Sequence, residues 1–307
     1  MRIPFITSSR YQEIGRRKGG GGGGKSGGSS SGGSGKSGGG KSGGSSGSGS
    51  GGKTSTVPLK GSSSSGKSTA TSYGYGGGKA ETIPVGQLFS GRTAGGGSRP
   101  QVYGTRTYGS GYPGYSGYGV AGRGFPFWFW PVVWDGSANQ ALHNTEYGDS
   151  FNTSRLGGPM AQANFVSNNT GSTFHVLSDN STVGSLIGSI NTNCSSHLAS
   201  SSSTSPSPYN SSAAGGPQPE QAIQYYRSSS IVLTLDGYNN SATFNSNPNT
   251  ADSPLPSGVD MTLLDCLNYT IGQAAPLIDG ASSHFISPPC LGFVSFVWVL
   301  WFLVHYA

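Results

Sequence analysis

The residues best suited to nucleophilic or metal chemistry are few and widely spaced. Cys194 and His197 form a C-x-x-H pair, while Cys266 and Cys290 lie much further along the chain. A structural zinc ion takes four nitrogen or sulfur ligands at close spacing, and a hydrolytic triad needs a serine, a histidine and an acid in one site. No spacing in the sequence completes either set. The sequence therefore predicts no metal site, no cofactor and no enzymatic activity.

Phosphate-binding loops are suggested by the pattern G-x-x-x-x-G-K-[S/T], which occurs at Gly19–Ser26, Gly35–Ser42, Gly47–Thr54 and Gly61–Ser68. Such a loop binds phosphate when a buried strand precedes it and a helix follows it. These four segments lie in sequence made almost entirely of Gly, Ser and Lys, which generates the pattern by composition alone. They predict no nucleotide site.

A disulfide is the chemistry that the cysteines support best. Cys194 and Cys266 both fall on predicted helices, whereas Cys290 lies beside a hydrophobic terminal segment. A bond between the first two would persist in an oxidising compartment such as the secretory route. Two unpaired buried thiols are the alternative, and the choice depends on the compartment of the domain.

Asparagine glycosylation is the second chemistry that the sequence suggests. Seven N-x-S/T sequons lie between residues 135 and 280, and a sequon is an acceptor only in a secreted or luminal chain. They begin at Asn152, Asn168, Asn180, Asn193, Asn210, Asn239 and Asn268. Because this region is rich in Asn, Ser and Thr, composition accounts for part of their number.

The elements that must position these residues are predicted within residues 135–280. A first helix, ending near Cys194, has an apolar stripe at helical spacing: Val183, Leu186, Ile187 and Ile190. A second helix, with Asp260 as its N-cap, has a similar stripe: Leu263, Leu264, Leu267 and Ile271.

Two strands are predicted at Thr173–Leu177 and Ser230–Leu235, which are rich in β-branched residues. Pro219–Arg227 is a weaker third helix, and residues 199–219 are a Ser/Pro-rich loop. Together these elements predict a small α+β domain over residues 135–280.

The N-terminal half has a different composition. The chain of 307 residues contains 54 Gly, and only 33% of it is hydrophobic and 10% charged. Residues 1–72 form a basic Gly/Ser/Lys-rich arm with too little apolar surface to offset the entropy of folding. Residues 73–134 form a Tyr/Gly-rich linker that ends in an aromatic block. We therefore expect the N-terminal half to be largely disordered.

The aromatic block, Phe125–Trp134, contains Pro126 and Pro131 and is too short for an ordinary spanning helix. Three roles are open: an internal signal, an interfacial membrane anchor, or a patch that docks on the folded domain.

The C-terminal segment, residues 288–307, predicts a transmembrane helix. Leu291–Ala307 contains no Lys, Arg, Asp or Glu, and as a helix it spans about 26 Å. The alternative is a GPI-signal tail, which fits the small residues at 280–283 followed by a short spacer. Residues 1–18 contain no apolar run typical of a secretory signal.

Several segments resemble a group of uncharacterised glycine-rich basidiomycete proteins with a C-terminal hydrophobic segment. The most specific is GRGFPF-x-FWP (Gly122–Pro131), accompanied by VGQLFSGR (Val85–Arg92), SSSIVLTLDGYNN (Ser228–Asn240) and LLDCLNYTIG (Leu263–Gly272). The resemblance covers most of the chain after Tyr73. It implies a membrane protein and supplies no activity or site residues.

These observations predict a non-enzymatic, membrane-anchored surface or structural protein. Of the 18 Lys and Arg, all but Arg155 and Arg227 precede residue 135, so the basic arm is available to anionic partners. Positive charge normally collects on cytosolic flanks, which favours a luminal or extracellular domain. The alternative is a nucleic-acid or condensate-associated protein that uses the Gly/Tyr/Arg-rich residues 1–124.

Overall fold

The computed structural model describes residues 53–280, apart from residues 63–65, 116, 135–136, 138–141, 143–144, 211–215, 246 and 248–249. Two predictions lie outside the described residues, namely the disorder of residues 1–52 and the hydrophobic helix at residues 288–307. The described part of the chain is a sheet-rich domain with two α-helices.

The main sheet has five strands, which are β5 Met160–Val166, β6 Thr173–Asp179, β7 Ser207–Pro208, β8 Ala222–Tyr226 and β9 Ile231–Leu235. All pairs are antiparallel, in the order β7–β5–β6–β9–β8. β5 and β6 pair without interruption from Met160↔Asp179 to Val166↔Thr173. Every residue of β9 is buried, which explains its unbroken apolar and β-branched sequence.

The two predicted helices are confirmed. α1, Asn180–Asn193, begins after Asp179, whose side chain accepts from the Thr182 amide at 2.9 Å. α2, Met261–Ala274, begins after Asp260, whose side chain accepts from the Leu263 amide at 3.0 Å. Both pack on the sheet and on each other, so their apolar stripes leave the water that would otherwise solvate them.

The predicted third helix at Pro219–Arg227 is wrong. Pro219–Gln221 forms one 3₁₀ turn, and the chain then enters strand β8. Ala222–Tyr226 is rich in aromatic and β-branched side chains, and pairing with β9 satisfies its backbone groups within the sheet. Strand β5 was not predicted, because MAQANFV combines small and polar residues with few strong strand formers.

The expectation of a largely disordered N-terminal half is wrong from residue 53 onward. Residues 53–134, called here the wrap segment, contain two short antiparallel pairs. These are β1 Ser55–Pro58 with β2 Thr69–Ser72, and β3 Glu81–Thr82 with β4 Thr93–Ala94. Nearly the whole aromatic block is buried in the same core as the sheet. Residue 135 is therefore not a domain boundary, and residues 73–134 are not a free linker.

Buried arginines hold the wrap segment against the rest of the described domain, of which residues 156–280 are called here the sheet region. Arg99 donates to the carbonyl oxygens of Gly74 (2.8 Å) and Ala275 (2.6 Å), and Arg155 donates to those of Trp130 and Pro131. Irregular backbone leaves carbonyl oxygens without ladder partners, and buried ones must be paired. The five donors of a guanidinium satisfy several of them at once.

Arg227 joins the two regions most directly. Its guanidinium lies 3.4 Å from the ring centroid of Phe129 and donates to Asp179 Oδ2 at 2.8 Å and to the Pro276 carbonyl at 2.9 Å. Removal from water lowers the pKa of Arg227 to about 10, against the opposing effect of Asp179. The side chain therefore remains charged at neutral pH.

The turn between β8 and β9 has an unusual backbone. Arg227, Ser228 and Ser229 have φ values of 50°, 49° and 62°, a conformation that costs non-glycine residues about 1 kcal/mol or more each. Contacts with the wrap segment hold it in place. The Ser228 hydroxyl donates to the Gly111 carbonyl at 2.8 Å, and the Ser229 hydroxyl accepts from the Gly109 amide at 2.9 Å.

Candidate functional site

A groove of about 630 Å³ lies between β1 and α1. In the described part of the chain, β1 pairs with β2 alone, while β2 also pairs with Leu277 on its other side. β1 is therefore an edge strand that faces the groove. The groove is lined by Lys53, Ser55, Thr56, Val57, Pro58, Lys60, Tyr73, Asn180, Ser181, Gly184, Ser185, Gly188, Ser189, Thr192, Asn193 and Pro206.

The outer face of α1 forms one wall of this groove because its residues are small. Ser181, Ser185 and Ser189 recur every four residues. Gly184 directly precedes the second serine, and Gly188 directly precedes the third. A Cβ added at Gly188 would meet no atom within 4 Å. The groove was missed at the sequence level. Its signal was this small-residue repeat, which lies opposite the apolar stripe.

The lining of the groove is mainly polar and uncharged. None of its described lining residues is acidic, and none is a histidine or a cysteine. Hydroxyl and amide groups line it, and Lys53 and Lys60 add positive charge. Tyr73, held at φ 60°, accepts a hydrogen bond on its hydroxyl from Asn193 Nδ2 at 2.9 Å. Such a surface suits polar or anionic partners.

The two cysteines singled out from the sequence are joined by a disulfide. Cys194, directly after α1, is bonded to Cys266 in α2, with their Cα atoms 5.9 Å apart. The bond closes a loop over a sequence separation of 72 residues. Cys194 is fully buried and Cys266 is half-buried. Cys290 lies outside the described residues.

The seven sequon asparagines do not come together into one site. Five are exposed: Asn168, Asn180, Asn193, Asn210 and Asn239. Asn152 and Asn268 are half-buried and hydrogen-bonded. Asn152 Nδ2 donates to the Tyr147 carbonyl at 3.2 Å, and Asn268 Oδ1 accepts from the Tyr226 hydroxyl at 2.9 Å. The sequons thus differ in how accessible folding leaves them.

A smaller polar hollow beside Asn168 contains His197 and Asp260. The adjacent Ser167 hydroxyl donates to Asp260 Oδ2 at 2.6 Å and accepts from the Thr170 amide at 3.1 Å. The Ser167 hydroxyl and the Leu263 amide lower the pKa of Asp260 below its ordinary value of 3.8. These bonds use the carboxylate as a helix cap and the hydroxyl as a turn, so the cluster orders the start of α2.

Metal ligands and membrane-spanning helices can be considered together for the described residues. Within residues 53–280 and their stated gaps, no three His, Cys, Asp or Glu side chains are placed to hold a metal ion. In the same part of the chain, no helix has the length and apolar character needed to cross a bilayer. The predicted anchor at residues 288–307 lies beyond it.

Comparison with known proteins does not add to this picture. No protein-family model, no curated protein and no solved structure matches the chain.

Proposed function

We propose that this chain is a non-enzymatic, membrane-anchored surface or structural protein whose folded domain faces the lumen of the secretory route or the cell exterior. The observation that carries the proposal is the Cys194–Cys266 disulfide. Glutathione and thioredoxin keep cytosolic thiols reduced, so a stable structural disulfide favours a chain that folds in an oxidising compartment.

The sequons support the same compartment. Exposed asparagines at positions 168 and 239 lie in connections outside the strands and helices, where an attached glycan meets solvent and disturbs no packing. Sequon asparagines receive glycans only in a luminal or secreted domain. There the glycans would cover a surface that is poor in charge with a polar layer.

The anchor in this proposal is residues 288–307. Their uncharged apolar run provides the hydrophobic length that a thin bilayer core requires. In the proposed topology, a retained helix and a GPI lipid would both hold the domain on the luminal or outer face of the membrane. The resemblance to glycine-rich basidiomycete proteins with a C-terminal hydrophobic segment agrees with this arrangement.

The groove is the surface at which the domain would bind the anionic partners predicted for the basic arm. Lys53 and Lys60 belong to the arm predicted from the sequence, and both line the groove without an acidic neighbour in the lining. An acidic glycan or a similar polyanion would meet hydroxyl donors on α1 and positive charge on the β1 side. Binding of this kind weakens steeply as salt rises.

The nucleic-acid alternative loses much of its support in residues 99–123. Arg99 is buried, and Arg123 lies 3.5 Å from the Tyr115 ring centroid while it donates to the Gly109 carbonyl at 2.7 Å. Tyr108 and Tyr112 are buried as well. Side chains engaged in packing cannot stack on bases. Within residues 53–124, this alternative would have to use the exposed aromatic side chains, such as Tyr75 and Tyr115.

The proposal is tested on the full-length chain, expressed in a eukaryotic host. Membranes are extracted with alkaline carbonate, and the protein is then treated with an endoglycosidase and with a maleimide that adds mass to free thiols. We expect carbonate resistance and a mobility shift after glycosidase. A retained helix should give one reactive cysteine that becomes three after reduction, whereas a GPI-processed chain, which has lost Cys290, should give none that becomes two. A variant lacking residues 291–307 is the matched control and should leave the membrane fraction.

Other outcomes would contradict the proposal in distinguishable ways. Three reactive thiols without reduction, together with no glycosidase shift, would place the domain in the cytosol. Solubility of the full-length chain, combined with salt-sensitive binding to RNA, would favour the alternative.

A further inference from the structure

We propose that closure of the Cys194–Cys266 disulfide controls the glycosylation of two sequons, Asn193 and Asn268, while Asn168 and Asn239 are glycosylated independently of it. The inference rests on the proposed luminal location. Four glycosylation sites thus fall into two classes: at two of them occupancy depends on whether the disulfide has closed, and at the other two it does not.

The Asn193 sequon contains the disulfide itself. Its three residues are Asn193, Cys194 and Ser195, and the central cysteine is fully buried once it is bonded to Cys266. Asn193 is also the last residue of α1, and its Nδ2 donates to the Tyr73 hydroxyl at 2.9 Å. Closure therefore fixes the helical backbone of the acceptor at the end of α1, while the Asn193 side chain stays exposed.

The Asn268 sequon lies on the other side of the same bond. It starts two residues after Cys266, and its hydroxyl residue, Thr270, is fully buried with Oγ1 3.6 Å from Cys194 Sγ. Asn268 Oδ1 accepts from the Tyr226 hydroxyl, which belongs to a fully buried side chain. When α2 is joined to the end of α1, the hydroxyl of this sequon is buried, and the half-buried Asn268 side chain is held through its Oδ1.

The Asn168 and Asn239 sequons provide the contrast. Asn168 and Thr170 are exposed in the turn between β5 and β6, and Asn239 and Ser241 are exposed after β9. Neither sequon contains a cysteine of the pair or a buried hydroxyl residue, and each keeps its asparagine and its hydroxyl residue at the surface of the folded domain. Asn168 Nδ2 donates to the Ser196 carbonyl at 2.9 Å, in the turn that follows Cys194.

The two competing reactions act on the same stretch of chain. In glycosylation, the asparagine Nδ2 attacks C1 of a lipid-pyrophosphate-linked oligosaccharide. A C–N bond forms, the C1–O bond to pyrophosphate breaks, the pyrophosphate lipid leaves, and the amide proton passes to a base. In closure, two thiols give two protons and two electrons to a disulfide carrier of the compartment, which becomes a dithiol. Because the transferase needs the sequon extended and accessible, the order of these events sets the occupancy.

The test measures occupancy at each sequon of the full-length chain by glycopeptide mass spectrometry after expression in a eukaryotic host. The main variant is Cys266→Ser, which prevents closure and leaves the Asn193 and Asn268 sequons intact. The matched control is Cys290→Ser, which removes the cysteine outside the pair. A brief dithiothreitol pulse on the unmodified chain during synthesis provides a second route that requires no substitution.

We expect Cys266→Ser and the pulse to raise occupancy at Asn193 and Asn268 at least about twofold, with no change at Asn168 and Asn239. Cys290→Ser should change none of them. Full occupancy at Asn193 and Asn268 in the disulfide-bonded chain would overturn the inference, as would an equal rise at all four sites, which would indicate general misfolding. Glycans at Asn168 and Asn239 without any redox effect would contradict this inference but not the proposed function. Absence of glycan at every sequon would contradict both.

Discussion

The wrap segment and the sheet region reach a common core by different means. The sheet region, residues 156–280, satisfies its backbone in continuous ladders and capped helices. The wrap segment, residues 53–134, has four strands of two to four residues each. It relies instead on aromatic burial and on arginine side chains that bond to its carbonyl oxygens. Glycine-rich sequence can therefore be structured when a partner surface satisfies its polar groups.

The aromatic block shows how this works. Phe89 packs edge-on against Trp130 with ring centroids 4.7 Å apart, and Trp134 packs in the same manner on Tyr209 at 6.2 Å. The Val132 amide donates to the Ser229 carbonyl at 2.9 Å. Of the three roles that the sequence left open for this block, the structure has the third, docking on the folded domain.

The largest loss of stability is expected when Arg227, which joins the wrap segment to the sheet region, loses its carboxylate partner. Asp179→Ala leaves Arg227 buried without its carboxylate and removes the cap of α1. We expect a loss of about 4 to 5 kcal/mol in the free energy of unfolding, measured by denaturant titration. Glu81→Ala is the control, because its ion pair with Lys67 is exposed and contributes about 0 to 1 kcal/mol. Equal losses in the two variants would contradict the role of Arg227.

A second variant tests whether the wrap segment belongs to the core. Phe129 is only 3% exposed and lies against Arg227, so Phe129→Ala should cost about 3 to 4 kcal/mol by thermal or denaturant unfolding. Phe151, which is 56% exposed, gives the matched control, for which we expect about 0.5 kcal/mol or less. If the wrap segment were a free linker, Phe129→Ala would be as mild as Phe151→Ala.

A third variant tests the close backbone approach within the wrap segment. Gly109 has φ +90°, and a Cβ added there would lie 2.1 Å from the Gly119 carbonyl oxygen. Gly109→Ala should therefore destabilise the domain by about 2 to 3 kcal/mol. Gly122 has φ +70° with no atom within 4 Å of the added Cβ, so Gly122→Ala should cost only about 1 kcal/mol of strain. Matching melting temperatures would show that the approach is not this close.

The smallest effect concerns pH and is confined to the sheet region. Bonds from Ser167 and Leu263 hold the pKa of Asp260 below its ordinary value of 3.8. The folded state therefore binds the proton more weakly than the unfolded state, and stability from this group is complete above about pH 4 and falls as the pH drops further. Ser167→Ala should flatten this part of the stability profile, while an unchanged slope would mean that the bond does not act on Asp260.

The amino-acid sequence determined the local elements of this protein. Apolar stripes at helical spacing fixed α1 and α2, Asp260 marked the start of α2, and β-branched runs marked β6 and β9. For α1 the sequence offered Ser181 or Thr182 as the cap, whereas the structure has Asp179. These features depend on neighbours within a few residues, so they can be predicted without the fold. The pairing of Cys194 with Cys266 was a candidate on the same grounds, since only one cysteine pair lay on predicted helices.

Only the tertiary structure decided the state of residues 53–134 and the existence of the groove. Tyr, Gly and Arg residues in this segment have no period that distinguishes a linker from a packed chain, and some of their partners lie more than 100 residues away, as Gly109 and Ser229 do. The helix predicted at Pro219–Arg227 was wrong for a different reason, since pairing with the neighbouring β9, which local propensity does not report, makes Ala222–Tyr226 a strand. The groove likewise requires β1 and α1 together, although they are separated along the chain by about half of the described domain.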